Sequence, residues 1–496
     1  MRLTRLLPCV LLVAACGDNS NGTTNPTIDA PGHHIDAPDI DAPVQIGHNG
    51  RIWAIGNPAA DNATTAFGFD DGVATLPFDA TTEPPLQIPG GTSVLQPNNG
   101  SPELVFDSNG DKIAFIANKT TADFDLYVAN KDGSNATMLV PGTGVVIQSV
   151  QLSPDGTMAA YTSSTVTAAP FGAFDLFVVN TTGTPAPVKV SPDRAAGVAT
   201  NLNVLQFAWS ADSKLIAFSG DLHVDKANEA FLVDMTAATP TAVTVLDATT
   251  IALGSGVSGG ISFDANNNIY FSAKVTLAAA QFQLFTADHT GANLTNPTFV
   301  PARTDATAPD IGTVGVSPDG KTLVFGADSP VATAYDLYAV DLTAVTPSGL
   351  RLTNITALAA TVPPTTLHTS FTAPLWFSPD GKSVAEIANW NATLANLAKS
   401  RQEPFVTALD GSGTHRIVQV TGVCLPLTTP PTAPSACDVS TIQWTKDSSS
   451  VYLHGDIVQN NDTAIFKADP TMTDQTATPA FNVTTTSGDF FQMVLR

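Results

Sequence analysis

The chain has 496 residues, of which 43% are hydrophobic and 13% charged, and its formal net charge is −23. This hydrophobic content is sufficient for a large core. The negative charge disfavours nucleic acid as a partner, because an acidic surface repels phosphate groups. Since charged residues make up roughly 25% of typical globular domains, we expect a surface made largely of Thr, Ser, Asn and Ala.

The first fifteen residues are typical of a bacterial lipoprotein signal peptide. Arg2 and Arg5 give a positive start, and the apolar stretch that follows is too short to span a bilayer. The stretch ends in Val13-Ala14-Ala15-Cys16, which resembles a lipobox. We therefore expect residues 1–15 to be removed and Cys16 to carry a lipid that anchors the protein in the cell envelope, with the outer membrane favoured. The alternative is an ordinary signal peptide with an incidental cysteine.

Residues 16–43 are predicted to be a disordered tether rich in Pro, Asp and Ala. The tetrapeptide Ile-Asp-Ala-Pro occurs three times in it, at 28–31, 35–38 and 40–43. Regular prolines favour an extended polyproline II chain, so the tether should be semi-stiff.

From residue 44 to residue 496 the chain repeats one short motif. Its clearest copy is Ser317-Pro318-Asp319-Gly320-Lys321, which lies between two strand-like segments. Pro fixes φ at the second place of a type I turn, and Gly accepts a positive φ at the fourth. The other strong copies are at 153–156 and 378–382, and weaker copies are at 107–112, 210–214, 264–268 and 445–448. A third strand that often begins with Asp and a closing fourth strand follow each turn.

This repeat predicts an all-β fold, a single β-propeller of four-stranded antiparallel blades. We expect eight blades, with the ring closed by the N-terminal and C-terminal strands. The segment 488–495 has the pattern of the first strand of a blade. The first unit matches the repeat clearly only from Arg51 onward. The alternative is seven blades with 44–95 as an ornament.

The Ser-Pro-Asp-Gly-Lys turn, followed later by Asp336-Leu337-Tyr338-Ala339-Val340, resembles the repeat of TolB-type propellers over residues 44–496. The resemblance implies a bacterial envelope protein that binds other proteins or envelope polymers. TolB carries a separate α/β domain before its propeller, and TolB is a soluble periplasmic protein. Here only a tether precedes the propeller, so the particular partners of TolB are not expected.

Catalytic patterns are weak in this sequence. The loop residues Asp221, His223, Asp225 and Glu229 match no zinc or EF-hand spacing, and we interpret them as solvated rather than as a metal site. We therefore predict a non-catalytic binding scaffold, not an enzyme, without cofactor or metal. The alternative is a hydrolase or lyase with its active site at the central channel.

The long loops are predicted to lie on one face of the propeller, opposite the short turns, and loops on a rigid scaffold often carry function. The alternative is that these loops are merely tolerated insertions. The partner would be an envelope protein or polymer, and the chain a monomer. The candidate partner-binding residues in these loops are Asp193, Arg194, Arg303, Asp305, Asp310 and His368.

Two further cysteines, Cys424 and Cys437, lie in one loop rich in Pro and Thr. In an oxidising envelope we expect them to form a disulfide. The alternative is two free thiols.

Overall fold

The computed structural model describes residues 51–57, 65–70, 85–92, 94–95, 104–118, 124–165, 173–194, 202–251, 255–275, 281–302, 307–329, 335–353, 374–388, 403–418, 439–455, 464–476, 478–479 and 489–495. These residues belong to one compact unit, His48–Arg496. They form β-strands and turns, with one short 3-10 helix at Ala248–Thr250. Within these ranges, no helix is long and apolar enough to cross a membrane.

The strands follow one another in the order that the repeat predicts. The first nine are β1 (Arg51–Asn57), β2 (Thr65–Asp70), β3 (Gln87–Ile88), β4 (Gly91–Thr92), β5 (Val94–Leu95), β6 (Leu104–Phe106), β7 (Lys112–Asn118), β8 (Asp125–Asn130) and β9 (Thr137–Val140). The next eleven are β10 (Val146–Leu152), β11 (Met158–Ser164), β12 (Asp175–Asn180), β13 (Val188–Lys189), β14 (Val204–Trp209), β15 (Leu215–Gly220), β16 (Ala227–Asp234), β17 (Ala242–Leu246), β18 (Ser255–Phe263), β19 (Ile269–Lys274) and β20 (Gln283–Ala287). The last thirteen are β21 (Ile311–Val316), β22 (Thr322–Ala327), β23 (Asp336–Asp341), β24 (Gly349–Arg351), β25 (Trp376–Phe377), β26 (Ser383–Ala388), β27 (Glu403–Ala408), β28 (Thr414–Arg416), β29 (Val439–Trp444), β30 (Val451–Gly455), β31 (Ala464–Ala468), β32 (Thr478–Pro479) and β33 (Asp489–Leu495).

These strands form the eight blades of a β-propeller, which confirms the predicted fold. Blade 1 is β33-β1-β2, and blade 2 is built on β6-β7-β8-β9. Blades 3, 4 and 5 begin at β10, β14 and β18, and blades 6, 7 and 8 begin at β21, β25 and β29. Blades 4 and 5 are joined by a short parallel contact between β16 and β18.

The two ends of the propeller close the ring. β33 pairs antiparallel with β1, with Leu495 opposite Ile52 and Val494 opposite Trp53. The same strand contacts β29 of blade 8 and β6 of blade 2. The C-terminal strand therefore completes the N-terminal blade as predicted, and residues from 51 onward belong to a blade rather than to an ornament.

The repeated turns adopt the conformation that their residues favour. In blade 6 the Gly320 N–H donates to the Ser317 carbonyl at 2.8 Å, and Gly320 has a φ of +70°. The Ser317 hydroxyl donates to the Asp319 carboxylate at 2.6 Å. The aspartate thus stabilises its own turn.

The turns of neighbouring blades also bind one another, on the face that we call the turn face. Ser108 donates to the Pro154 carbonyl between blades 2 and 3, and Ala265 donates to the Gly320 carbonyl between blades 5 and 6. The Lys446 ammonium of blade 8 donates to the Asn109 carbonyl of blade 2 at 3.1 Å, passing blade 1. The turn face is therefore a ring in which blade 1 has no turn of its own between its first two strands.

Inside the blades, an aromatic side chain of the second strand stacks on one of the third strand. Such pairs contribute about 0.5–1.5 kcal/mol beyond their buried area. The pairs, with their ring-centroid distances, are Phe115–Tyr127 (5.6 Å), Tyr161–Phe177 (5.6 Å), Phe218–Phe231 (4.8 Å), Phe271–Phe285 (5.9 Å) and Phe325–Tyr338 (5.9 Å).

Blade 7 breaks this pattern at Glu386. This residue lies opposite Phe405, at the place of Phe325 in blade 6. Its side chain is buried, and its Oε1 atom has no hydrogen-bond partner. Burial, with a smaller contribution from the Asp336 carboxylate, raises the pKa of Glu386 to about 8.

Candidate functional site

In a β-propeller the first strands of the blades surround a central channel, and in this molecule a cavity of about 560 Å³ lies among the first strands of four neighbouring blades. That volume lies within the roughly 300–1,000 Å³ of small-molecule sites. The cavity is lined by Gln206, Gly260, Ser262, Thr313, Val314, Gly315, Val316, Pro374, Leu375 and Phe377. It is therefore built from the first strands of blades 4 to 7 and from residues just before β25.

Several of these first strands contain a β-bulge near the end at which the long loops attach, which we call the loop end. In blade 4 the register shifts between Val204 and Gln206, and in blade 8 between Val439 and Thr441. A bulge leaves one residue out of the ladder and can redirect its side chain. The extra residues are Leu205 and Ser440, and both are exposed.

The bulge of blade 8 brings a serine and a histidine together. The Ser440 hydroxyl lies 2.7 Å from His454 Nδ1, and 3.1 Å from the carbonyl oxygen of the same histidine. His454 is only 5% exposed and lies on β30, opposite Thr441. An exposed hydroxyl next to a buried imidazole nitrogen is the arrangement of a nucleophile and its general base.

A second histidine, in blade 4, is held by a buried carboxylate. His223 Nδ1 lies 2.9 Å from Glu229 Oε1, and Glu229 is fully buried. Glu229 also accepts hydrogen bonds from the backbone N–H groups of His223 and Ala248. The carboxylate fixes the ring, whose side chain is 35% exposed, so His223 can transfer a proton at the surface of the loop end.

The four loop residues Asp221, His223, Asp225 and Glu229 do not converge on one point. Asp221 accepts hydrogen bonds from the backbone N–H groups of Asn203, which directly precedes β14, and of Lys226, which directly precedes β16. Among the residues that the structure describes, no group of three or more His, Cys, Asp or Glu side chains is arranged to hold a metal ion.

Of the predicted partner-binding residues, Arg194 and Asp193 lie side by side after blade 3. Arg194 binds the Asp175 carboxylate at 2.8 Å and the Leu202 carbonyl at 3.2 Å. Asp193 is exposed and accepts from Lys189 at 2.9 Å. Arg194 therefore joins the start of β12 to the crossing that leads into blade 4.

Asp310 likewise joins parts of the fold. Its carboxylate accepts from the Phe282 N–H at 2.6 Å and from the Tyr335 hydroxyl at 2.7 Å, which links blades 5 and 6. The other predicted site residues lie outside the described residues: Cys16, Arg303, Asp305, His368, Cys424 and Cys437.

Sequence reasoning missed Ser440 and His454, because it searched the loops for acid–base residues and not the strands. The two residues are fourteen positions apart and meet only through the register of β29 and β30. One signal was present: His454 directly follows the apolar run Val451-Tyr452-Leu453, at a place where a buried second strand is expected. The bulge that exposes Ser440 has no marker in the sequence.

Comparison with known proteins gives a fold likeness without a family. No protein-family model matches the chain, and no curated protein matches it. Among solved structures, it is similar to an oligogalacturonate lyase in complex with manganese, with 14% identity, a TM-score of 0.45 and coverage of 74% of this chain and 88% of that one. It is also similar to a prolyl endopeptidase, with 10% identity, a TM-score of 0.46 and coverage of 76% of this chain and 49% of that one. A TolB-like protein of Agrobacterium tumefaciens matches with 14% identity and a TM-score of 0.32, over 57% of this chain and 83% of that one.

These findings correct the prediction of a non-catalytic scaffold that is not an enzyme. Two of the three neighbours are named as enzymes, a lyase and an endopeptidase. That prediction rested on the weakness of catalytic patterns in the sequence, whereas the fold brings Ser440 and His454 into contact. At these identities the likeness concerns the fold and assigns no particular reaction to this chain.

Proposed function

We propose that the chain is a hydrolase whose reaction centre lies at the loop end of the central channel, with Ser440 as nucleophile and His454 as general base. The observation that supports this most is the 2.7 Å distance between the Ser440 hydroxyl and His454 Nδ1. The exposed position of Ser440 in a bulge leaves the hydroxyl open to a substrate.

In this mechanism His454 Nδ1 takes the proton of the Ser440 hydroxyl as the oxygen attacks an acyl carbon. The imidazolium then gives that proton to the leaving group, and an acyl-serine forms. Water, deprotonated by the same nitrogen, attacks the acyl carbon; the bond to the Ser440 oxygen breaks, the imidazolium returns the proton to that oxygen, and the acid is released. Because Ser440 is extra to the ladder, its backbone N–H is a candidate donor to the oxyanion of the tetrahedral intermediate.

A fluorophosphonate probe, which reacts with activated serines, tests the proposal. We expect the purified protein to be labelled, Ser440→Ala to lose the label, and His454→Gln to react about 10²–10⁴-fold more slowly, the usual contribution of a general base. Ser449→Ala is the matched control, since Ser449 is an exposed serine on the turn face. Equal labelling of wild type and Ser440→Ala would contradict the proposal.

The His223–Glu229 pair favours a second candidate, a lyase. A histidine oriented by a buried carboxylate is suited to removing a proton next to a carbonyl group. The two candidates differ in their products, because hydrolysis takes up water and elimination leaves a double bond that absorbs ultraviolet light. Mass measurement of the products formed by wild type and by His223→Gln separates them.

The location of the protein is also a proposal. We propose a lipid-anchored protein of the bacterial envelope that carries TolB-type repeats, supported by the Val-Ala-Ala-Cys junction before the tether. Its substrate would then be part of an envelope polymer or protein. Metabolic labelling with a fatty-acid analogue should mark wild type but not Cys16→Ser, and equal labelling would refute the anchor.

A further inference from the structure

The wall of the channel cavity has a distinct chemistry. The lining residues are uncharged: hydroxyl and amide groups come from Ser262, Thr313 and Gln206, and an apolar wall comes from Leu375 and Phe377. A ligand that fits such a wall has both an apolar face and hydroxyl groups, without a charge.

Two glycines make room for this cavity. A Cβ atom on Gly315 would lie 3.0 Å from the Phe377 ring, and one on Gly260 would lie 2.7 Å from the Val314 carbonyl oxygen. Side chains at these places would push the first strands of blades 5, 6 and 7 apart or fill the space between them. The open wall therefore depends on residues that have no side chain.

The electrostatics of the molecule disfavour anions in this cavity. The net charge is −23, and none of the lining residues is Lys, Arg or His. On the turn face, burial raises the pKa of the Asp212 carboxyl, but hydrogen bonds from Ser210 and Asn267 outweigh it and lower the pKa to about 2. The equivalent Asp319 and Asp380 carboxyls also have lowered pKa values, because hydrogen bonds from Ser317 and Ser378 outweigh a similar burial effect. Ionised carboxylates thus stand on the turn face, next to the strands that line the cavity, and repel negative ligands.

From these observations we infer that the cavity binds an uncharged oligosaccharide. A sugar ring presents C–H groups to Phe377 on one face and hydroxyl groups to Ser262 and Thr313 at its edge. This inference concerns binding alone and is independent of the chemical step proposed for Ser440.

Calorimetric titration tests binding separately from chemistry. The probes are the neutral hexasaccharides of cellulose, xylan and starch, with the hexamer of galacturonate as the anionic comparison. We expect at least one neutral probe to bind wild type and Ser440→Ala equally, and galacturonate to bind at least about tenfold more weakly. Thr313→Val, which keeps the side-chain volume, should weaken binding up to about tenfold, since one hydrogen bond is lost. Thr343→Val is the matched control, because Thr343 lies in an exposed turn on the turn face.

The outcomes distinguish the two claims. If no neutral probe binds, or if the galacturonate hexamer or an uncharged peptide binds best, the sugar inference is overturned even where the fluorophosphonate still labels Ser440. If a neutral probe binds as expected but Ser440 is not labelled, the inference of a sugar-binding cavity stands and the hydrolase proposal fails. Binding of a neutral probe together with labelling of Ser440 would support both.

Discussion

Glu386 is a buried acid in a place where blades 2 to 6 bury an aromatic ring. The Asp336 carboxylate of blade 6 acts on the charge of Glu386, and Asp336 is itself paired with Arg351. In its own blade, Glu403 and Arg416 form another pair at 2.7 Å. Each of these arginines is already paired with another carboxylate. Glu386 therefore favours its neutral, protonated form, in agreement with its raised pKa.

This single residue should make the stability of the protein depend on pH. In the folded state Glu386 keeps its proton up to about pH 8, whereas the unfolded chain loses it near 4.5. The folded state binds more protons between these values, so the stabilising effect is complete below pH 4.5 and is lost as the pH rises towards 8. We expect Glu386→Gln to remove this loss and Glu386→Phe to raise the free energy of unfolding as well, by restoring the stacked pair.

Chemical denaturation at several pH values between 5 and 9 measures this effect. Phe325→Glu is the matched variant, because it places the same acid opposite Tyr338 in blade 6 and should introduce a second pH-dependent loss. If Glu386→Gln and wild type lose stability in parallel over this range, Glu386 is not the titrating group.

At the scale of the element, the repeated turn has a local and a non-local function. Both Gly320 and Gly381 have a positive φ, of +70° and +68°. Around Gly381 there is open space, with the nearest atoms of Asp319 at 3.7 Å from an added Cβ. Around Gly320 there is no room for a side chain, because an added Cβ would lie 2.3 Å from the backbone nitrogen of Ala265.

The two turns should therefore respond differently to the same substitution. We expect Gly381→Ala to lower the free energy of unfolding by about 1–2 kcal/mol, the cost of a left-handed conformation for a residue with a Cβ. Gly320→Ala should cost clearly more, because it also separates Gly320 from Ala265 and breaks the hydrogen bond between blades 5 and 6. Equal losses in urea denaturation would show that the contact between the turns adds nothing.

At the scale of the whole molecule, the ring depends on the pairing of β33 with β1. Removing residues 489–496 would expose the backbone edge of β1 and the neighbouring surfaces of β29 and β6. We expect a markedly lower melting temperature and aggregation, because an open strand edge recruits other chains.

The control for this deletion is Lys446→Met, which removes the bond to Asn109 on the turn face and leaves β33 in place. Exposed polar contacts of this kind contribute little, so its melting temperature should stay close to that of wild type. Light scattering during heating follows aggregation in both variants. A deletion variant that melts like wild type would contradict closure by β33.

Local chemistry explains why the fold could be predicted from the sequence and the site could not. The turn at Ser317–Gly320 is determined by its own four residues, so each copy marks a blade wherever it occurs. Ser440 and His454 are brought together by a bulge and by strand register, which depend on packing across the sheet. Glu386 lies between these cases, because aligning it with Phe325 through the preceding turns would have marked it as an acid in an apolar place. The Cys424–Cys437 disulfide stays a prediction, since both residues lie outside the described residues.

The pairing of Ile52 with Leu495 brings the first and last described strands side by side, with the start of one next to the end of the other. The blade at which the chain begins is therefore almost arbitrary, whereas the order of the blades around the ring stays the same. A short linker from residue 496 to residue 48 would make the chain circular, and a cut in the segment 389–402 would give it new ends within blade 7. Such a permuted protein would keep the cavity, the contact between Ser440 and His454, and the contact between His223 and Glu229.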